Sequence, residues 1–461
     1  MLRIVPSPDG EGTVYASPSP EAPSVISRRT LLATGAAVAA APAFAQDDPF
    51  SRLQTGTGDP KRAVPGYATI AFRKPDETAS FAKAGGYAIA GPTGRIMRLD
   101  SPMRIASISK LVAAIGFMSL QEQGRVGLDE DVSELLRFPL RHPLFPEVPI
   151  TPRMLLSHTS GLRDGPSYPV GLGRKLADAL TPGGKQWDNG AWFGPASERP
   201  DEWFAYANVN FAVIAELIER MTGERFDLFM ARRVFKPLGL ECGYNWSGVP
   251  QRLRNYAAAI YRKAPDEDGP WDAKGPWQPQ LDAPVPAAPE ILVTRSPEGE
   301  TLRLAPDEYD GGNGFVFSPQ GGLRASARDL EVIARLLAGG GQVDTIRILK
   351  PETAALMAQP VWRYDRSKPN GDAYGGLILS YGLGCQILTD GGGDSLFPGC
   401  AGWIGHAGDA YGLVSGLWVQ PSTGRGMTYL VNGTAAPLAE LRERSKFTVV
   451  EEQIAGVLAT A

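Results

Sequence analysis

The chain has 461 residues, of which 43% are hydrophobic and 21% charged, with a formal net charge of -4. That is enough apolar material for two or three domains with substantial cores, and it excludes disordered, collagenous and disulfide-scaffold classes. Three cysteines (Cys242, Cys385, Cys400) and three histidines (His142, His158, His406) occur without a CxxC pair or an HExxH helix face. A protein-built metal site is therefore not expected, no cofactor is implied, and the slight acidic balance disfavours nucleic acid or an anionic membrane as partner.

In chain order, the first signal is an address. Ser27-Arg28-Arg29-Thr30-Leu31-Leu32 leads into a run of Ala, Val and Gly that ends at Ala43-Phe44-Ala45. A basic pair, a short apolar stretch and an A-x-A exit read as a twin-arginine-type signal peptide over residues 1–45, and the stretch is shorter than the roughly 20 residues of a membrane span. The expected mature chain is thus periplasmic or extracellular and has no membrane span. An oxidising compartment permits a disulfide, and Cys385 with Cys400 is the pair nearest in sequence.

Strand-like runs follow at 67–72 and 86–90, then a long helical pattern from about Ser107. Helices dominate to about residue 237. Thr151-Pro152 opens one of them with Gly161 past its end, and Asn210 to Met221 carries an amphipathic stripe. From about 249 to 310 the chain is irregular and rich in Pro and Asp, too long for an ordinary loop. A helix at about 327–338, a hairpin of 412–419 with 426–431, and a last helix at about 448–458 complete the pattern. Strands at both ends with helices between predict an α/β (α+β) sheet domain from 46–125 and 311–461, with a helical domain at 126–310 that carries the irregular insertion.

Lys110 is a charge out of place. The stretch Ile105 to Leu120 reads IASISKLVAAIGFMSL, and Lys110 is its only charged residue. An ammonium in a buried helix costs several kcal/mol unless paired or neutralised, and burial lowers its pKa towards the range of a working base. Ser107 lies three residues earlier on the same helix face, in the first turn, where free N–H groups and the positive dipole end favour an oxyanion. This is the arrangement of an activated serine nucleophile.

Tyr206-Ala207-Asn208 precedes the second amphipathic helix, which sets the tyrosine on a loop; a phenol beside a lysine ammonium is expected to ionise easily and relay a proton. Gly405-His406-Ala407-Gly408 lies just ahead of the hairpin, and its small residues permit a substrate to approach the backbone closely.

Taken in order, Ser107-Ile108-Ser109-Lys110, Tyr206-Ala207-Asn208 and His406-Ala407-Gly408 resemble the S-x-x-K, Y-x-N and K/H-x-G motifs of the serine β-lactamase and penicillin-binding-protein superfamily. The branch they resemble holds class C β-lactamases, D-alanyl-D-alanine carboxypeptidases, D-aminopeptidases and β-lactamase-like carboxylesterases. Leu155 to Leu162 (LLSHTSGL), Pro237-Leu238-Gly239-Leu240 and Gly321-Gly322-Leu323 through Asp329 also match its pattern. The resemblance implies an antiparallel sheet flanked by helices, an all-α domain beside it, and the active site in the cleft between. It makes Ser107 the nucleophile, Lys110 and Tyr206 the proton-handling pair, Asn208 a polar contact to substrate and Lys110, and His406 and Gly408 part of the substrate site. The backbone N–H groups of Ser107 and Asp409 would form the oxyanion hole, and His158 would be structural.

Histidine at 406 replaces the lysine usual in class C β-lactamases, which shifts expectation from β-lactams towards D-residue peptides, including cell-wall-derived ones, and simple esters. The expected function is an exported serine hydrolase that forms an acyl-enzyme on amide or ester bonds. The alternative is a non-hydrolytic penicillin-binding or sensor-type protein of the same fold.

Overall fold

Gly66–Phe72 (GYATIAF) is a strand, so successive side chains point to opposite sides of the sheet. Ala68, Ile70 and Phe72 pack into one core, and Tyr67 and Ala71 into another. Both faces are covered, so all seven residues of this strand are buried. The computed structural model describes residues 49–56, 58–91, 94–283, 291–293, 302–304 and 311–461. The signal-peptide reading of residues 1–45 lies outside them.

The strands that matter for the site are β1 (Gly66–Phe72), β2 (Phe81–Ile89), β3 (Arg95–Ile96), β4 (Ile260–Lys263), β5 (Trp277–Leu281), β6 (Trp362–Arg363), β7 (Ser380–Tyr381), β8 (Gln386–Ile387), β9 (Ile404–Ala410), β10 (Leu413–Gln420), β11 (Arg425–Val431) and β12 (Gly433–Thr434). The helices are α1 (Ile108–Gln121), α2 (Pro152–Leu156), α3 (Val209–Thr222), α4 (Ala327–Ala338) and α5 (Val449–Thr460). A nine-stranded sheet runs in the order β6-β7-β8-β9-β10-β11-β1-β2-β3, and every pair in it is antiparallel. The C-terminal hairpin β10–β11 pairs with β1, which joins the two ends of the chain in one sheet.

Two helices cover the sheet centre. Leu330, Ile333 and Leu337 of α4 share a core with Leu413, Leu417 and Leu430, on the side where α1 also packs. Val450, Ile454 and Leu458 of α5 cover the opposite side with Trp418, Tyr429 and Val431. Caps fix the helix starts: Ser326 with Asp329, and Thr448 with Glu451, form reciprocal capping boxes.

Two expectations change. The stretch from 249 is not irregular throughout: β4 and β5 pair with each other, and β4 runs parallel to β12, which ties this segment to the end of β11. Tyr261 and Ala264 within it are buried, so packing supplies an order that its Pro and Asp content does not advertise. Cys385 and Cys400 do not pair. The Cys385 thiol donates to the Met357 carbonyl in one core, and Cys400 is buried in the other; all three cysteines are free.

Candidate active site

Ile108–Gln121 forms α1, with Lys110 fully buried in it. Ser107 is the N-cap, and its side chain makes no cap bond, so the hydroxyl is left for other partners. Ala106 before it holds a left-handed φ of 49°, a conformation that costs an alanine about 1 kcal/mol or more and turns the chain sharply into the helix. The turn is held from the sheet side: Ser415 Oγ donates to the Ile105 carbonyl at 2.9 Å. Gly408 of β9 is packed so closely here that a Cβ would lie 2.6 Å from that carbonyl oxygen and 2.4 Å from Ser415 Oγ. The close approach at Gly408 is thus made by the protein's own chain, and it seats β9 beside Ser107.

Lys110 Nζ lies 3.1 Å from Ser107 Oγ, 2.8 Å from Asn208 Oδ1 and 2.7 Å from the Gln320 carbonyl oxygen. Burial lowers its pKa to about 7, with the Asp164 and Asp409 carboxylates opposing the shift and Arg104 adding to it. Near pH 7 the amine is therefore divided between its charged and neutral forms. The charged form donates to all three neighbours. The neutral form has two hydrogens and a lone pair; Asn208 Oδ1 and the Gln320 carbonyl only accept, so the lone pair falls to the Ser107 O–H.

Asn208 is oriented from behind. Asp164 accepts from Asn208 Nδ2 at 2.8 Å and from the backbone N–H groups of Asn208 and Val209 at 3.1 and 2.9 Å. One carboxylate thus caps α3 and fixes which end of the Asn208 amide meets Lys110. Asp164 and Gln320 are both absent from the sequence expectations.

The Tyr206 ring lies beneath Lys110, with Nζ 4.8 Å from its centroid, and its buried hydroxyl has no hydrogen-bond partner. Burial pushes this phenol well above its usual range, outweighing the opposing influence of the nearby Ser107 hydroxyl. The easy ionisation expected beside a lysine is not met; Tyr206 keeps its proton. His158 stacks on Tyr206 at 4.3 Å, and its Nδ1 accepts the Ala207 N–H at 3.2 Å. Its pKa is driven well below normal, first by burial, so it supports the Tyr206 loop as a neutral ring.

His406 is 2% exposed. Its Nδ1 meets the Ala407 carbonyl, which only accepts, so Nδ1 carries the hydrogen and Nε2 accepts from Tyr381 O–H at 3.0 Å. Burial, then repulsion from Lys110, lowers its pKa to about 3. Both nitrogens are engaged, and no charge is left there for a substrate carboxylate.

On β9, Gly405 pairs with Gln386 of β8, and the Ala407 N–H donates to Gln386 Oε1 at 2.9 Å. Alternate residues of a strand point their N–H groups the same way, so the Asp409 N–H projects along the same edge, beyond the end of β8. A small cavity of about 40 Å³ opens at this edge, lined by Ser107, Tyr206, Tyr374, His406, Asp409 and Arg442 among others. Tyr374 and Arg442 are further additions to the expected set. Among the described residues no three His, Cys, Asp or Glu side chains gather as metal ligands, and no helix is long and apolar enough to cross a membrane.

Residues 47–450 match the family model described as Beta-lactamase. Penicillin-binding protein 4 of Amycolatopsis lactamdurans is 25% identical over 373 residues, 80% of each chain. Penicillin-binding protein 4* of Bacillus subtilis is 29% identical over 173 residues, which span 35% of this chain and about a third of that protein. Among solved structures, EstCE1, a hydrolase with promiscuous acyltransferase activity, aligns with a TM-score of 0.60 at 21% identity over 88% of this chain and 98% of its own. This likeness is one of fold.

Proposed function

The chain belongs to the Beta-lactamase family, and we propose that it acts as a serine hydrolase of amide or ester bonds through an acyl-enzyme on Ser107. The observation that carries this reading is Lys110 Nζ at 3.1 Å from Ser107 Oγ, with its other two contacts made to groups that only accept.

In the proposed reaction the neutral Lys110 amine takes the Ser107 proton as Oγ bonds to the scissile carbonyl carbon. The negative charge on the carbonyl oxygen is held by the N–H groups of Ser107 and Asp409, one at a helix start and one on the strand edge. Tyr206, protonated and beside both Lys110 and Ser107, passes its proton to the leaving nitrogen or oxygen as its bond to carbon breaks, and the Lys110 ammonium returns to the phenolate the proton it took from Ser107, so that both groups are neutral again. Water then repeats the sequence on the acyl-enzyme, with Lys110 again the base. No step needs a metal or a cofactor. A peptide or small ester fits this chemistry, and the relatives named as penicillin-binding proteins support an acyl-enzyme on serine. Export through residues 27–45 belongs to the same proposal.

The test is the initial rate of hydrolysis of a short-chain p-nitrophenyl ester by the chain beginning at residue 46, beside Ser107→Ala. Turnover that vanishes in the variant is expected. Equal turnover in both proteins would remove Ser107 from the chemistry. A single stoichiometric burst without turnover would instead favour the non-hydrolytic, penicillin-binding reading.

A further inference from the structure

Arg104, three residues before Ser107, lacks a counter-charge. It pairs in register with Arg324, where Met103–Arg104 runs antiparallel to Arg324–Ala325. The carboxylate on that side is Asp282, which accepts from Arg324 Nη2 at 3.2 Å and from Trp246 Nε1 at 2.9 Å. Two guanidinium groups thus share one carboxylate, and Arg104 is the one left over. Among the described residues its only hydrogen bond is a long one, from Nη2 to Ser318 Oγ at 3.5 Å, and its Nε is buried without a partner. Burial, then repulsion from Arg324, lowers its pKa, but a guanidinium remains charged near neutral pH.

This charge stands beside the nucleophile. A Cβ placed on Gly321 would lie 3.6 Å from Arg104 Nη2 and 3.9 Å from the carbonyl carbon of Ala106, the atom bonded to the Ser107 nitrogen. The ring of Tyr411, half exposed in the turn between β9 and β10, has its centroid 5.6 Å from the guanidinium carbon. Tyr168 and Gln320 complete the corner. Gln320 Nε2 donates to the Tyr168 hydroxyl at 3.2 Å, and its buried Oε1 has no partner; turning the amide over exchanges the two ends. In either orientation the pair keeps an O–H or N–H hydrogen with no acceptor among the described residues. Asp164, a carboxylate that also acts on Tyr168, is already taken up by Asn208 and Val209.

The corner lies on the acyl side of the reaction. Tyr206, the proposed proton donor to the leaving group, opens with His406 and Tyr374 into the cavity on one side of Ser107, so the leaving group lies there. The rest of the substrate leads away past the Asp409 N–H towards the β9–β10 turn, where Tyr411 and Arg104 stand. An uncompensated guanidinium with a free O–H or N–H beside it matches a carboxylate, whose two oxygens take the parallel bonds of the fork.

We propose that Arg104 receives a carboxylate carried at the far end of the acyl group, so that the preferred substrates are monoesters or monoamides of dicarboxylic acids. This rests on the Ser107 reading above and narrows its substrate class.

The experiment measures p-nitrophenol release at pH 7 from mono-p-nitrophenyl adipate and from p-nitrophenyl hexanoate, with the uncatalysed rates subtracted. The two esters share one chain length and differ in the terminal carboxylate. The expected kcat/KM is at least tenfold higher for the adipate, chiefly through KM, because the contact is made in the bound substrate and in the transition state alike. That ratio should fall at least tenfold in Arg104→Gln. Should Arg104→Gln not fold, Arg104→Lys takes its place; it keeps the charge but not the fork, and the ratio should fall at least threefold. Equal rates in the wild type, turnover of neither ester, a ratio unchanged in the variant that folds, or a ratio that falls in Arg442→Gln instead would each overturn the assignment while leaving the Ser107 reading intact. Ester hydrolysis that survives Ser107→Ala would bring down both.

Discussion

Lys110 on α1 and His406 on β9 are buried bases in one cleft, and burial pulls both pKa values down. Lys110 stops at about 7 and His406 at about 3. Partners and pKa together explain the different uses. Each nitrogen of His406 has one fixed partner, a carbonyl that accepts and a tyrosine hydroxyl that donates, so the ring is complete as a neutral group. Lys110 has two acceptors and the Ser107 hydroxyl, which accepts from the ammonium and donates to the amine. Both bases have a hydroxyl partner that could exchange roles, so the pKa decides: a base at about 7 beside a nucleophilic hydroxyl can take and return a proton near neutral pH, whereas one at about 3 stays neutral there and serves as a structural member.

The largest effect that would break this comparison is at Lys110. Lys110→Met keeps most of the buried stem but removes the nitrogen, and in the proposed mechanism it lowers kcat/KM for an ester by about 10² to 10⁴, the usual range for a general base. In the wild type, kcat/KM should rise as pH increases towards about 7 and level off above it, because the neutral amine is the active form. A profile that is flat from pH 5 to 9 would place the base elsewhere.

Gly408→Ala sharpens the comparison from the strand side. The new methyl has no room against Ile105 O and Ser415 Oγ, so β9 must move away from the turn that presents Ser107. Overpacking of this kind costs about 1–3 kcal/mol. A shift on the order of 1 Å between Ser107 and the Asp409 N–H lowers kcat by about 10². Wild-type kcat with a lowered melting temperature would show that the contact serves stability alone.

Asp164→Asn is expected to act more gently. The amide retains one accepting oxygen where the carboxylate had two, facing three N–H donors. Loss of the cap and of the fixed Asn208 orientation should cost about 1–2 kcal/mol of stability and about tenfold in kcat. Asp164→Glu at unchanged kcat would show that orientation of Asn208 is not needed.

The sequence made α1 legible because a single charge in an apolar run is anomalous under any packing. Asp164 left no such mark: its partners lie 44 and 45 residues away, and an aspartate after a glycine-containing turn is unremarkable. Gln320 enters through its backbone carbonyl, which no side-chain pattern reports. The hairpin 412–431 and the helix 327–338 were readable from periodicity and caps; the β4–β5 segment was not, because its order comes from pairing with β12, far along the chain. For His406 the residue type was visible but its engagement with Tyr381 was not, since that contact depends on the register of β8 against β9.

His406 therefore gives the smallest effect on activity and a distinct one on stability. Its ring proton signals should show no titration between pH 5 and 8, and substrate KM should carry no histidine step in that range. The group binds a proton in the unfolded chain at about 6.5 and in the folded protein only at about 3. Its contribution to stability is thus fully present above pH 6.5 and is lost as pH falls towards 3, at a slope of up to about 1.4 kcal/mol per pH unit. Melting temperatures measured from pH 7 to 4 should fall for the wild type and fall less steeply for His406→Gln, whose amide also offers a donor and an acceptor but has no proton to gain. A histidine signal that titrates near 6.5 in the folded protein, assigned by its loss in His406→Gln, would show that the ring is not held by Tyr381 and Ala407, and would return position 406 to the anion-binding role of the lysine usual there.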